Sequence, residues 1–281
     1  MKASLQAGEV VTLPNVNTIA DGTAVKTPGK NVFPYLQKNQ PEIIVSQMVK
    51  ISGIGESQVA EEIQDLIESQ TNPTIAPYAK TGEVHLRVTA SAENEKACRK
   101  LIKPVVKELK KRFGENVFAT DESKTLEEAV IDLLKEKDLK LSLAESLTGG
   151  MIAQRIVNVS GASEVFGYGF VTYSNKAKHK CLGVKKRTLK EQGAVSAKCA
   201  REMAKGACKA SGADISISVT GLAGPGGGTK ETPVGTVFMG CCYKGKAIAK
   251  EFHFTGNRMR IREQTTAHAL AMLRDCIIMG K

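Results

Sequence analysis

The run Leu143-Ala144-Glu145-Ser146-Leu147-Thr148-Gly149-Gly150 constrains this chain more than any other. Before it, Leu139 to Leu143 forms an apolar run interrupted by Lys140 and Ser142, the alternation of a strand. After it, Met151 to Val157 carries apolar residues at helical spacing. The chain must therefore turn from strand to helix within a few small residues. Such a turn leaves backbone N–H groups unpaired at the helix start, open to whatever docks there. Ser146 stands at its lip, where a hydroxyl serves either as a nucleophile or, like that of Thr148, as a helix cap.

Two other stretches have the same character. Gly167 to Tyr173 reads as a strand, and Ser174-Asn175-Lys176-Ala177-Lys178 leaves its end. Ligands of open α/β sheets bind at the carboxyl ends of strands, so a lysine there can meet a serine at a neighbouring strand end. A lysine with the ordinary pKa of about 10.4 is a poor base. Burial away from carboxylates favours the neutral amine, which can take a hydroxyl proton. Tyr173 is placed to relay or steady that proton; the alternative is a surface lysine and a core tyrosine. The third stretch, Asp214 to Thr220, is a buried-type strand running into Gly221-Leu222-Ala223-Gly224-Pro225-Gly226-Gly227-Gly228. Its glycines let N–H groups approach a phosphate or carboxylate. No Gly-Lys-Ser/Thr follows, and the strand-like Gly235 to Met239 comes next, which excludes a Walker loop and a dinucleotide fingerprint.

Ala144-Glu145-Ser146-x-Thr148-Gly149-Gly150, Gly169-Phe170-Val171-Thr172-Tyr173-Ser174-Asn175-x-Ala177-Lys178, Gly193-Ala194-Val195-Ser196 and Thr220-Gly221-x-Ala223-Gly224-Pro225-x-Gly227-Gly228 occur in that order, followed by Pro233-Val234-Gly235-Thr236-Val237. From about Leu126 to its end the chain closely resembles the carboxyl-terminal domain of the CinA (competence/damage-inducible protein) family, the nicotinamide-nucleotide amidases. The resemblance implies a serine/lysine amidohydrolase that converts nicotinamide mononucleotide to nicotinate mononucleotide and ammonia. By motif, Ser146 is the nucleophile, Lys178 the base and Tyr173 their neighbour; Lys176 lies outside the Asn-x-Ala-Lys pattern. Backbone N–H groups of Thr148, Gly149 and Gly150 are the expected oxyanion hole. Further candidate substrate-binding residues are Asn175, Ser196, Thr220, Gly221, Gly224, Gly226 and Gly227. The resemblance adds Arg262 in the last helix as a fork for the phosphate or the carboxylate product. Arg258 and Arg260 read equally well as helix-surface residues. A homodimer is implied by resemblance only. No cofactor is expected, and no metal, since the four histidines have no ligand spacing.

Three units are expected. Residues 120–281 alternate strand and helix, an α/β sandwich around one twisted sheet, which is the amidohydrolase domain. Residues 40–119 read as a small α+β layer: a strand over Ile43 to Ile51, a helix over Gln58 to Glu68, an extended Thr71 to Ala79, a strand over Gly82 to Ala90 and a basic helix. Its Gly-Ile-Gly-Glu-Ser and Asn-Pro-Thr-Ile-Ala stretches resemble the KH-type middle domain of CinA. Gly53-Ile54-Gly55-Glu56 does not supply the Gly-x-x-Gly loop that clamps a nucleic-acid backbone, so nucleic acid is not expected as a partner. Residues 1–39 read as an irregular arm, with a chimeric start as one explanation. Gly8 to Val16 and Ala20 to Gly29 resemble a fragment of threonine dehydratase, too short to carry that chemistry.

With 281 residues there is length for two cores, and a net charge of +11 favours anionic partners such as a nucleotide phosphate. Much of that charge lies between Lys96 and Arg112, where Leu101, Val105, Leu109 and Phe113 mark the inner face of an amphipathic helix with a solvated basic side. No run approaches a membrane span, and no apolar segment follows Lys2 as in a secretory signal. Seven scattered cysteines without Cys-x-x-Cys fit reduced thiols in a cytoplasm. The competing functions are a nucleic-acid-binding module and a non-catalytic interaction protein built on the same domains.

Overall fold

The computed structural model describes residues 42–280, so the arm at residues 1–39 lies outside the described residues. The first part runs β1 (Ile43–Ser52), α1 (Glu56–Glu62), α2 (Gln64–Ser69), β2 (Thr74–Lys80), β3 (Glu83–Ala92), α3 (Glu95–Phe113) and β4 (Val117–Ala119). Its strands form an antiparallel sheet in the order β2-β3-β1-β4. The single helix expected over Gln58 to Glu68 is two, broken at Ile63, whose side chain is wholly buried in the sheet's core. Helix α3 starts at Asn94, which caps it by accepting from the Ala97 amide. Its buried side is Cys98, Ile102, Val106, Leu109 and Phe113. The expected stripe was centred one residue early, and Leu101 and Val105 lie at its half-buried margin. Lys96, Lys100, Lys103, Lys107 and Lys110 face solvent, and none forms an ion pair among the described residues.

The second part runs α4 (Leu126–Glu136), β5 (Leu141–Glu145), α5 (Met151–Val157), β6 (Phe166–Val171), α6 (Asn175–Leu182), α7 (Lys186–Glu191), α8 (Ala197–Ser211), β7 (Ile215–Gly221), β8 (Thr236–Tyr243), β9 (Lys246–His253) and α9 (Arg258–Met279). The sheet order is β6-β5-β7-β8-β9, with β6, β5 and β7 parallel and the last two strands antiparallel. Helices cover both faces, as parallel strands require. On one face α4, α5 and α9 bury Leu134, Ile152 and Leu270 against Leu141, Leu143 and Ile217. On the other, α6 and α8 bury Leu182, Cys199 and Met203 against Ala144.

Strand β7 alternates Ile215, Ile217 and Val219 with Ser216, Ser218 and Thr220. The hydroxyls all face the α8 side. Ser216 donates to the Ala204 carbonyl at 2.7 Å, Ser218 to Ala200 at 2.7 Å and Thr220 to Ala194 at 2.7 Å. Two of these buried hydroxyls are thus satisfied by the α8 backbone and the third by the loop that precedes it, rather than by each other. Close approach extends to Gly206 in α8, where a Cβ would overlap the Leu182 carbonyl of α6.

Strand β6 is an edge strand with its outer side bare: Tyr168 and Val171 are exposed, and no charge occurs from Val165 to Asn175. The two parts are joined by buried cations on carbonyls. Lys50 Nζ donates to Glu122 O at 2.6 Å and Lys124 O at 2.8 Å. Arg274 of α9 donates to Glu115 O at 2.5 Å and Val117 O at 3.2 Å. At Gly82, with φ +75°, a Cβ would lie 2.6 Å from Ala267 Cβ, so the β2–β3 turn rests directly on α9. All seven cysteines are free, and no helix among the described residues is long and apolar enough to cross a membrane.

Candidate active site

Strand parity sorts the two polar residues at the end of β5. Side chains alternate between faces. Glu145 shares the face of Leu141 and Leu143, where α5 begins; Ser146 shares the face of Ser142 and Ala144, under α6 and α8. The backbone pins both: Thr172 N donates to Glu145 O at 2.8 Å and Ser146 N to Val219 O at 3.1 Å. Ser146 thus sits between the ends of β6 and β7.

The buried Glu145 carboxylate accepts from the amides of Gly150 at 3.0 Å, Ile152 at 3.1 Å and Ala153 at 2.9 Å. Those are the orphan donors of the α5 start, and a carboxylate there is also favoured by the helix dipole. This corrects the expectation for the turn. The Gly150 amide is taken by Glu145, and the Gly149 amide by Ser146 O at 3.1 Å, so neither is free for a substrate. Neither Ser146 nor Thr148 is the cap. Among the described residues nothing accepts from the amides of Leu147 and Thr148. Gly149 and Gly150, at φ +61° and +101°, serve the left-handed turn itself.

On the other face, α6 starts at Ser174, which accepts from the Ala177 amide, and turns Lys178 and Leu182 inward, one turn apart. Lys178 is 1% exposed. Its Nζ lies 2.8 Å from Ser146 Oγ and donates to Thr172 O at 2.8 Å. No carboxylate pairs with it among the described residues, and burial pulls its ammonium below the ordinary value of 10.5. Cys199, behind it in α8, is itself pushed up to about 11 by burial and stays a neutral thiol.

A cavity of about 280 Å³ opens over this pair. It is lined by Ser146, Lys178, Tyr173 and Asn175, by Thr220, Gly221, Gly224 and Gly226 of the glycine-rich loop, and by residues not singled out in advance. Those are Leu147, Ala194, Val195, Leu222 and Ala223, joined by Arg258, which the sequence left open between the site and the helix surface. Most lie inside the stretches already quoted, between the residues chosen from them. Thr148, Gly149, Gly150, Ser196, Gly227 and Arg262 do not line it. Ser196 caps α8, accepting from the Cys199 amide at 3.2 Å and donating to Gly193 O at 3.1 Å. Tyr173 is 64% exposed, and its hydroxyl accepts from Arg258 Nη2 at 3.1 Å.

Arg262 does not take the place expected of it, and Arg258, which the sequence left open, does. They are one helical turn apart on α9. Arg258, at its first turn, reaches the cavity and donates to Gly224 O at 2.7 Å. Arg262, one turn on, passes behind the nucleophile turn and donates from Nε to Leu147 O at 3.0 Å and from Nη2 to Thr148 O at 2.8 Å. No group of histidine, cysteine and acidic residues among the described residues has a metal-binding arrangement.

Comparison with known proteins agrees with the motif pattern. The family model for the CinA C-terminal domain matches residues 123–277, and that for the damage-inducible protein CinA KH domain matches residues 46–119. A relative from Clostridium beijerinckii named a competence-damage inducible protein is 53% identical over 89% of this chain, which spans 60% of that relative's length. One from Clostridium novyi with the same name is 45% identical over 96% of this chain and 69% of its own, so part of the first 39 residues falls within the match. Among solved structures, competence/damage inducible protein CihA from Agrobacterium tumefaciens is 42% identical, with TM-score 0.52, over 53% of this chain and 91% of that one. The CinA superfamily protein from Escherichia coli is 35% identical, with TM-score 0.52, over 57% and 96%.

Proposed function

This chain belongs to the CinA family, and on that premise we propose that it hydrolyses the carboxamide of nicotinamide mononucleotide to nicotinate mononucleotide and ammonia, a step of pyridine nucleotide salvage. The observation that carries the reading is the 2.8 Å approach of Lys178 Nζ to Ser146 Oγ in a cavity where the amine meets no carboxylate. A buried, uncharged lysine is the base a serine needs when no histidine is present.

Ser146 Oγ attacks the carboxamide carbon as its proton passes to neutral Lys178. The oxyanion is held by the free amide of Leu147, which lines the cavity, and by that of Thr148, the next along the turn and just behind the lining, rather than by those of the two glycines. The C–N bond then breaks as the Lys178 ammonium returns the proton to the leaving nitrogen, releasing ammonia. Water attacks the acyl-enzyme with Lys178 again as base, and nicotinate mononucleotide leaves. Arg258 and the peptides of Gly221 to Gly226 take the ribose phosphate, the role first given to Arg262. Tyr173 orients Arg258 at the mouth.

A homodimer and a cytoplasmic setting complete the reading. The uncharged open edge of β6 supports the first and seven free thiols support the second. Purified protein incubated with nicotinamide mononucleotide is expected to release ammonia and nicotinate mononucleotide in equal amounts. Ser146→Ala should release none while keeping its circular dichroism spectrum. Intact nicotinamide mononucleotide after incubation with the wild-type chain would end this reading.

A further inference from the structure

We infer that Arg262 is a positioning residue that aims the oxyanion-holding amide of Thr148 from behind the turn. The inference rests on the serine-hydrolase part of the reading above, but not on its substrate.

A trans peptide unit is planar, with C=O and N–H pointing in opposite directions. The guanidinium of Arg262 holds the carbonyl of Leu147 at 3.0 Å. The amide that shares that peptide plane belongs to Thr148, so it is turned away from Arg262. The same guanidinium holds the carbonyl of Thr148 at 2.8 Å, which turns the Gly149 amide the same way, and that amide is indeed found on Ser146 O at 3.1 Å. Two consecutive peptide planes are thus oriented by one side chain, and the second supplies an observed check on the first. The Thr148 amide is left turned away from Arg262 with no acceptor among the described residues.

The alternative for Arg262 is substrate contact, and its position argues against it. Its Nε and Nη2 are both engaged by backbone oxygens of the nucleophile turn. A planar fork presents two donors at a fixed spacing to two adjacent carbonyls. Glu145 fixes the far end of the same turn through the α5 amides. The loop that carries the nucleophile is therefore held by an anion at its helix end and a cation on its carbonyls. An oxyanion hole works by being oriented before charge develops, so loss of this brace should weaken the transition state and leave ground-state binding alone.

The test uses the full chain and an alkyl fluorophosphonate, which reports the serine independently of the natural substrate. Ser146 Oγ forms a bond to phosphorus, fluoride leaves, and the serine proton goes to Lys178; the phosphoryl oxygen occupies the oxyanion position. Arg262→Ala is expected to slow labelling of Ser146 about 100-fold and to lower kcat on nicotinamide mononucleotide by a similar factor, with KM within about twofold. Arg262→Lys should recover part of the rate, and guanidinium ion added to Arg262→Ala should recover more. Arg260→Ala, on the exposed side of α9, should match the wild type. Labelling of Arg262→Ala within about threefold of wild type, or a rise in KM with kcat unchanged, overturns the inference. If Arg262→Ala does not fold, Arg262→Lys decides by the same split between kcat and KM. A wild-type chain that labels at Ser146 without releasing ammonia ends only the choice of substrate; one that does not label ends the inference itself.

Discussion

A lysine without a counter-ion in the interior ties activity to pH. The folded-state pKa of Lys178 lies below its ordinary 10.5 because burial penalises the ammonium. Activity should therefore rise with pH along a limb whose midpoint is below 10.5, as the amine loses its proton. The unfolded chain holds that proton more tightly, so the Lys178 contribution to stability also rises with pH between the two values and is flat below the lower one. Rates measured from pH 6 to 10 check this; a limb centred at the unperturbed value sinks the neutral-base reading. Arg258→Ala should raise KM about 10- to 100-fold with little change in kcat, the loss expected for one charged hydrogen bond to a phosphate. The meeting of Ser146 with Lys178 was legible because the motif spacing puts them past adjacent strand ends; the place of Tyr173 was not, since its hydroxyl meets Arg258 rather than that pair. The two arginines were not, because their division of labour depends on where α9 crosses the turn, a tertiary fact. Nor was Glu145, whose part follows from the parity of a strand ending one residue before the serine.

At the scale of elements, the nucleophile turn is only as firm as its braces. Glu145→Ala removes three charge-assisted bonds from the α5 start and should cost about 2–3 kcal/mol in urea unfolding, with Glu145→Gln recovering part of it. Gly206→Ala drives a methyl into the Leu182 carbonyl and should cost about 1–3 kcal/mol or more. Because α6 carries both Leu182 and Lys178, the same substitution should depress kcat as well, and a variant destabilised but fully active would count against this coupling. The long periodic elements α3, α8, α9 and strands β1, β3 and β7 were readable from alternation and helical spacing. The short helices α6 and α7 were not, since they carry too few apolar residues to mark a face, whereas the equally short α5 has Ile152 and Ile156 one turn apart. The break at Ile63 was hidden for a related reason: its apolar pattern continues across it while the backbone does not.

For the whole molecule, the joint between the two parts combines buried cations on carbonyls with an apolar contact, Phe118 of β4 against the core of the second part. Arg274→Ala leaves the carbonyls of Glu115 and Val117 without that donor and should convert a single unfolding transition into two, followed by calorimetry. A variant that still melts in one transition would show that the Gly82 turn on α9 and the Lys50 bonds suffice. The broad architecture was legible from the change of strand and helix order near residue 120. This joint was not, because Lys50 and Arg274 look like ordinary surface charges until their partners are seen. The mouth of the cavity has a different consequence. From Gly221 to Gly226 it presents mostly peptide groups, with Leu222 and Ala223 as its only sizeable side chains. Point substitutions have little to alter in a wall built from main chain. Attempts to retune this catalyst in the laboratory should therefore find new preferences among insertions and deletions across that loop, while saturation libraries return mostly the parental selectivity.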